Sequence, residues 1–160
     1  AEYCAPHNRP DAARAGGDVG IATRTYRYLS ARVEGVLDVT CNPMFYCSIV
    51  RICKSYEAHA RDVFDAVFAA NANYNFASIV VDEDVDIRDM SAVFRAFLTR
   101  GRVDRRVEVR PDVPGWDTSA DPLHAGRLGI DATIPFGRAD EFDVATTPWP
   151  QIVLGDYLAS

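Results

Sequence analysis

A short apolar run between two amphipathic segments constrains the fold of this chain more than any other feature. Residues 76–81 (FASIVV) are rich in β-branched side chains and too few for a helix, which predicts a strand buried on both faces. The apolar positions at spacings of three and four are Ala60, Val63, Phe64, Val67 and Phe68 before the run, and Ile87, Met90, Val93, Phe94, Phe97 and Leu98 after it. They predict a helix on each side, and strand–helix alternation indicates an α/β layer with at least partly parallel pairing.

Polar residues predict where these two helices begin and end. Ser55 is placed to cap the first helix, and Glu57 falls in its first turn, where an acidic side chain is favourable. Asp86 is placed to cap the second helix, and Gly101 to end it. We expect about four turns in the first helix from the extent of its apolar stripe.

Other segments have the composition of strands. Val36–Cys41 and Phe45–Cys53 are separated by the turn-forming pair Asn42-Pro43, which predicts a hairpin. Gly20–Tyr28 alternates and is rich in Thr and Tyr, which predicts a further strand. Arg106–Arg110 also alternates and predicts a strand at an exposed edge of the sheet.

The chain has the length of one domain, at 160 residues. We expect an irregular lead-in over residues 1–19, an α/β core over 20–110, and a loop and tail over 111–160, because Pro and Gly recur in the first and last parts. An apolar stretch at 152–158 is predicted to dock as a strand or short helix. The predicted fold class is α/β, with a layered mixed sheet, flanking helices and an extended C-terminal tail.

Charge and hydropathy exclude several classes of protein. The net charge of −6 argues against a general nucleic-acid role, and no apolar run reaches the roughly 18 residues that span a membrane. The first residues lack a signal-peptide pattern, so we expect a cytoplasmic protein.

The basic residues are sixteen Arg and only Lys54. Six Arg lie between Arg95 and Arg110, and the chain is acidic from Pro111 onward, so these segments are expected to pair within or between subunits.

Cysteine and histidine residues are scattered. Cys4, Cys41, Cys47 and Cys53 form no CxxC pair, which favours buried free thiols over a zinc site. His59 falls opposite the apolar stripe of its helix and is predicted to be solvated. His124 lies in the glycine-bearing tail, where facing a ligand is a second possibility.

The densest polar feature is the acidic stretch Asp82–Asp86 at the end of the buried strand. Open α/β sheets bind their ligands outside the carboxyl ends of the strands. Carboxylates clustered at such a strand end are suitable ligands for Mg²⁺ or Mn²⁺. The alternative is that Asp86 caps the next helix and the other acids complement its positive end. No G-x-G-x-x-G, Walker A or G-x-S-x-G motif is present.

An ordered series of motifs over residues 76–135 resembles the C-terminal domain of UbiD-type decarboxylases. That family has an apolar strand ending in D-D-D-V-D, a helix with W-A-x-x-T-R, a loop like P-G-x-P-L-D, and a closing G-I-D-A-T-x-P. The counterparts in this chain are Asp82–Asp86, Phe97–Arg100, Pro114–Asp117 and Leu128–Thr133. Residues 36–67 fit the family's strand–strand–helix approach to these motifs more loosely.

The resemblance also implies roles for individual residues. Ala1-Glu2-Tyr3 is similar to the family's G-E-[YM] motif, followed at a suitable distance by Thr25-Tyr26-Arg27. In that register Glu2 matches the glutamate that donates and accepts the catalytic proton. Trp116 and Thr118 match positions that line the substrate pocket in phenylacrylate-type relatives. The alternatives are a terminal Glu2 without a role and a Trp116 that only anchors its loop.

The rest of the family's active site is missing from the match. An N-terminal domain of the family carries its second glutamate, its arginine, and its ligands for prenylated FMN, divalent metal and K⁺. In addition, this chain has far fewer residues between Arg27 and Val36 than the family usually has. The resemblance therefore implies either a naturally separate small C-terminal subunit of a hetero-oligomeric decarboxylase, whose larger partner carries the flavin, or a piece of a longer chain. Such an enzyme acts on aromatic, heteroaromatic or α,β-unsaturated carboxylic acids, and this chain alone is expected to be inactive. The alternative is a non-catalytic assembly module. A third option is a free-standing metal- or anion-binding domain using Asp82–Asp86.

Overall fold

The computed structural model describes residues 12–42, 47–70, 76–100, 103–111, 113 and 126–142. Five strands are present in this part of the chain: β1 Val36–Asn42, β2 Cys47–Ile52, β3 Ala77–Asp82, β4 Val107–Arg110 and β5 Arg127–Ala132. The helices are α1 Ala12–Ser30, α2 His59–Ala70, α3 Met90–Thr99 and the short α4 Val103–Arg106, followed by a 3₁₀ turn at Ala139–Phe142. None of these helices is both long enough and apolar enough to cross a bilayer.

The strands form one mixed sheet in the order β1-β2-β3-β5-β4. The three central strands β2, β3 and β5 are parallel, and the outer strands β1 and β4 pair antiparallel to their neighbours. The predicted hairpin is confirmed, because β1 and β2 are adjacent and antiparallel. The predicted buried strand is β3, and β4 lies at a sheet edge as its alternating pattern indicated. The predicted α/β class with a mixed sheet is therefore correct.

Each face of the sheet has its own apolar core. On β2, the neighbouring residues Ile49 and Val50 point to opposite faces and enter different clusters. Helix α2 covers the Val50 face with Val63, Phe64, Val67 and Phe68, all of which the periodicity had predicted to be buried. Helix α3 covers the Ile49 face, but it buries only Val93 and Ala96 completely. Phe94 and Leu98, also expected on the apolar stripe of α3, are exposed.

The strand predicted at Gly20–Tyr28 is wrong, because this segment lies within helix α1. Thr25 and Leu29, four residues apart, are both fully buried, so the segment presents a helical stripe to the core. Burial of that stripe outweighs the β-propensity of Thr and Tyr, which reflects context more than an intrinsic backbone preference. The lead-in also ends earlier than predicted, since α1 begins at Ala12.

Both predicted helix caps are wrong by a few residues. Helix α2 begins at His59 rather than after Ser55, and α3 begins at Met90 with Asp89 as its N-cap. The Asp89 carboxylate accepts from the Ser91 amide at 2.8 Å. Asp86 instead accepts from the amide of residue 88 at 2.9 Å in the preceding turn. In an Asx turn and in an N-cap alike, the aspartate carboxylate accepts from a backbone amide a few residues on. Sequence alone therefore did not show which aspartate caps the helix.

Strand β5 was missed because its segment was predicted to be loop and tail. Its residues, RLGIDA, include Gly129 in the middle, which weakens a strand pattern. The glycine has a packing reason: a Cβ there would lie 2.7 Å from Cδ2 of Phe64 on α2. Gly129 therefore lets an aromatic ring of the helix lie directly on the sheet.

Candidate functional site

Charged side chains collect where the three parallel strands end. Lys54 follows β2, Asp82 is the last residue of β3, and Asp131 is near the end of β5. Because parallel strands present their carboxyl ends at the same edge, residues far apart in sequence meet there. This edge is also where open α/β sheets bind ligands.

Lys54 is the centre of the first group. Its side chain is only 6% exposed. Its Nζ donates to Thr133 Oγ1 at 2.9 Å and to the carbonyl of Ile134 at 3.1 Å, and it lies 4.0 Å from Asp131 Oδ2. A buried ammonium requires such partners, because an unpaired charge in this environment would be strongly destabilising. Lys54 thus joins the end of β2 to the segment that follows β5.

Asp131 connects this group to the arginine-rich segment. Its Oδ1 accepts from both the amide and the hydroxyl of Thr133, at 2.9 and 2.6 Å. Its Oδ2 accepts from Arg106 Nη1 at 2.8 Å, and Nη2 of the same arginine donates to the Arg100 carbonyl at 3.0 Å. The expected pairing of the basic segment with an acid beyond Pro111 therefore occurs within the chain.

A second group surrounds Arg100. Its Nη1 donates to Asp82 Oδ2 at 2.6 Å and to Asp84 Oδ1 at 2.8 Å, and its Nη2 also binds Asp84. Asp82 Oδ2 in addition accepts from the Ile134 amide at 2.7 Å. Burial raises the pKa of Asp82, against the opposing effects of the Ile134 amide and Arg100. The hydrogen bond from Arg100 lowers the pKa of Asp84.

A cavity of about 380 Å³ lies beside these groups. Lys54 and Asp82 line it together with the acidic residues Glu83 and Asp84 and the apolar segment 134–137. One part of its wall is therefore acidic and another part is apolar. The buried ammonium of Lys54 donates to acceptors of the protein itself.

The metal interpretation of Asp82–Asp86 is not supported by these contacts. Asp82 and Asp84 bind Arg100, and Asp86 is exposed in a turn. Among the described residues, no three His, Cys, Asp or Glu side chains are grouped to hold a metal ion. The acidic stretch instead has a structural role: Asp82 and Asp84 fix Arg100, and Asp82 also holds the segment after β5.

The charged residues at this edge of the sheet also do not fit the phosphate of a flavin. The donors of Lys54 face Thr133, Ile134 and Asp131, and Arg100 and Arg106 face carboxylates and a carbonyl. An anion at the cavity would in addition meet the acidic side chains that line it. A flavin for this site must therefore be held by residues other than these.

His59 is buried, which corrects the prediction that it is solvated. Its Nδ1 accepts from the Ser55 amide at 3.2 Å, and its Nε2 lies 2.8 Å from the Glu34 carbonyl. A carbonyl only accepts, so Nε2 carries the proton of a neutral ring. The ring also stacks on Tyr56 with centroids 4.6 Å apart. His59 lies in the first turn of α2, where the fold supplies neighbours that a helical wheel does not show.

The cysteines follow their prediction in part. Cys41, Cys47 and Cys53 are in the thiol form. Cys47 is buried, and burial raises its pKa to about 12, so the thiol is inert at neutral pH. Cys53 is exposed, because β2 ends one residue before it.

Apart from the acidic stretch Asp82–Asp86, the residues for which the sequence predicted a catalytic or ligand-binding role lie outside the described part of the chain. These are Glu2, Trp116, Thr118 and His124, and Cys4, predicted to be a buried free thiol, also lies outside it. The structure brings Asp82 and Asp84 together with residues to which the sequence had assigned no site role: Lys54, Arg100, Arg106, Asp131 and Thr133. One signal pointed to the first of them, since Lys54 is the only lysine beside sixteen arginines.

The family model of the 3-octaprenyl-4-hydroxybenzoate carboxy-lyase C-terminal domain, UbiD_C, matches residues 17–132. This chain therefore belongs to the UbiD C-terminal domain family, as its motifs had indicated. An uncharacterized protein of Archaeoglobus fulgidus is 34% identical over 110 residues, which are 66% of this chain and 22% of that protein.

Solved structures of UbiD-class enzymes have the same fold. HmfF of Pelotomaculum thermopropionicum, in complex with FMN, is similar at a TM-score of 0.71 and 27% identity, over 87% of this chain and 33% of that one. An evolved dimeric form of HmfF is solved with prFMN and has a TM-score of 0.66 at 26% identity. Vanillic acid decarboxylase of Sedimentibacter hydroxybenzoicus shares the fold, with a TM-score of 0.65 and 24% identity over 85% of this chain and 29% of that one. The chain thus spans about a third of HmfF and about a fifth of the Archaeoglobus protein.

Proposed function

We propose that this chain is the small C-terminal subunit of a hetero-oligomeric UbiD-type reversible decarboxylase. The substrate would be an aromatic, heteroaromatic or α,β-unsaturated carboxylic acid. A larger UbiD-like partner would carry prenylated FMN, a divalent metal and K⁺. The observation that carries the proposal is the match of residues 17–132 to the UbiD C-terminal domain family, together with the fold that the chain shares with a UbiD-class enzyme solved in complex with FMN.

Within that complex, Glu2 is the residue proposed to transfer the proton. Its carboxyl group would protonate the substrate carbon that has lost CO₂, and would remove the same proton in the reverse direction. Prenylated FMN, when bound by the partner, supplies the electron sink for the carbon–carbon bond that breaks. Trp116 and Thr118 are proposed to line the pocket around the substrate's ring or double bond.

The described part of the chain would contribute a rigid support for this chemistry. Asp82 accepts from the Ile134 amide and Lys54 donates to the Ile134 carbonyl, and Asp131 and Arg106 join β5 to the segment before β4. A site built on strand ends with locked side chains keeps its geometry better than one built on unsupported loops.

The composition of the intact complex tests the division between two chains. The chain, carrying an affinity tag and expressed in its native host, should co-purify with a larger protein. The complex should show a flavin absorbance spectrum, and the separated small chain should show none. Native mass spectrometry gives the stoichiometry. A monomeric small chain, beside a flavin protein that is fully active alone, would contradict the proposal.

Glu2→Gln distinguishes catalysis from the alternative of a non-catalytic assembly module. The alternative is favoured by one observation: the buried cations Lys54, Arg100 and Arg106 all bind protein acceptors. If Glu2 transfers the proton, the variant complex should lose at least about 100-fold in turnover while assembling normally. Glu34→Gln, at an exposed glutamate, is the matched control. Unchanged turnover in Glu2→Gln would support the assembly role instead.

A further inference from the structure

The segment after β5 presents an aromatic ring to solvent from a fixed backbone. Phe136 is 51% exposed, yet its amide donates to Glu57 Oε2 at 3.0 Å. Two residues earlier, the Ile134 amide binds Asp82 and its carbonyl accepts from Lys54, at 2.7 and 3.1 Å. Three side chains from two separate parts of the chain therefore hold this segment, so little conformational entropy is left to lose when a partner covers the ring.

Phe94 provides an internal comparison for this exposed ring. It is 54% exposed on α3, about as much as Phe136. However, Phe136 also lines the 380 Å³ cavity at the carboxyl edge of the sheet, beside Ile134 and Pro135. An aromatic side chain beside a cavity with a partly apolar wall is typical of residues that anchor a protein–protein interface. Scattered exposed apolar residues, by contrast, are common and need no partner.

The surroundings of Phe136 are acidic. The exposed acidic residues of the adjoining segments are Glu57, Glu83, Asp84, Asp140 and Glu141. Arg138 is paired with Glu141, and Arg100 is buried against Asp82 and Asp84. A second copy of this surface would bring like charges together, so the surface favours a different chain with a cationic rim.

We propose that residues 134–137, with Phe136 as the anchor, form the docking surface for the flavin-bearing chain. The inference rests on the proposed function, because it takes the flavin to be held by a second chain. The position supports this occupant: ligands of open α/β sheets bind beyond the carboxyl ends of the strands, and the described residues at that edge do not fit the flavin phosphate themselves. The chain that carries the cofactor must therefore approach this edge.

Phe136→Ala tests the docking surface, with Phe94→Ala as the matched control. The dissociation constant of each variant is measured by calorimetry against the flavin-bearing chain that co-purifies with the tagged protein. We expect Phe136→Ala to raise the dissociation constant roughly 30-fold, and Phe94→Ala to change it by less than about two-fold. Binding of the unsubstituted chain should weaken between about 50 and 300 mM salt, because the rim contacts are charged.

Two results would overturn the inference in different ways. If Phe136→Ala binds as tightly as the unsubstituted chain, or if Phe94→Ala is the variant that weakens binding, the docking surface lies elsewhere and the proposed function still stands. If the unsubstituted chain binds no flavin-bearing protein at all, both the surface and the proposed function are wrong. Circular dichroism of both variants establishes that the substitutions leave the fold intact.

Discussion

The core beneath α2 and the charged edge of the same sheet are held together by different kinds of contact. In the core, Phe64 lies against Gly129, and Val50 and Val80 are fully buried, so the contacts are apolar and have no required direction. At the edge, Lys54 and Thr133 meet through a charge-assisted hydrogen bond, and they are 79 residues apart in the chain.

The difference teaches how tolerant each region should be to substitution. An apolar core accepts side chains of similar volume, because burial depends on area and shape. A buried network of charges does not, because removal of one partner leaves the other without its hydrogen bond in a region shielded from water. Three variants of this chain test that contrast.

The largest effect is expected for Phe64→Ala in the core. The substitution leaves a cavity over Gly129 and should lower the free energy of unfolding by about 3–5 kcal/mol. Phe94→Ala, at an exposed ring of the same type, should change it by less than about 0.5 kcal/mol. Urea unfolding followed by circular dichroism measures both. Equal losses in the two variants would contradict the assignment of Phe64 to the core.

A smaller loss is expected for Lys54→Met at the charged edge. Methionine keeps most of the apolar stem, so the change removes chiefly the hydrogen bonds to Thr133 and Ile134. We expect a loss of about 1.5–3 kcal/mol in the free energy of unfolding. Amide hydrogen exchange should also become faster at Thr133, Ile134 and Phe136. A variant as stable as the original would mean that this edge tolerates apolar replacement as the core does.

The smallest effect is expected for Asp84→Asn, and it should depend on pH. The hydrogen bond from Arg100 lowers the pKa of Asp84 in the folded chain. Asp84 therefore contributes stability above its unfolded pKa, roughly 3.9, and that contribution is lost as the pH falls through the folded value. Because the carboxylate is 56% exposed, the contribution should stay below about 1 kcal/mol.

Unfolding curves between about pH 2 and pH 6 check the Asp84 prediction. The original chain and Asp84→Asn should differ most near about pH 6, and the difference should shrink as the pH falls and the carboxyl group becomes protonated in the folded state as well. Asp86→Asn is the control, since Asp86 is exposed in the next turn and accepts from a backbone amide rather than from Arg100. A stability difference that grows toward low pH would mean that Arg100 does not lower the pKa of Asp84 in the folded chain.

Much of the fold could be predicted from local patterns. The stripe through Val63, Phe64 and Val67 correctly placed α2, and FASIVV correctly placed β3. The prediction for residues 20–28 was wrong because Thr and Tyr favour a strand. In the structure the segment is helical, and Thr25 and Leu29 are its buried positions. Strand β5 was not predicted because a glycine in its middle weakens the strand pattern. That glycine makes room for the ring of Phe64 on helix α2, a contact that the local sequence does not reveal.

The candidate site was much less accessible to prediction than the fold. The acidic stretch beginning at Asp82 was correctly identified as the dense polar feature of a strand end, but its partner Arg100 was not. Lys54 was noticed only for being the single lysine. The roles suggested for Glu2, Trp116 and Thr118 stay predictions, since these residues lie outside the described part of the chain.

The sequence by itself determined the α/β class, two of the main helices, the central strand and the family, because each of these depends on periodicity or on residues in a fixed local order. Only the tertiary structure decided which charges meet at the sheet edge, that His59 is buried, and that α1 is a helix. The physical reason is the range of the interactions. Periodic burial repeats every few residues along one element, whereas the contact of Lys54 with Thr133 exists only after β2, β3 and β5 have aligned their carboxyl ends.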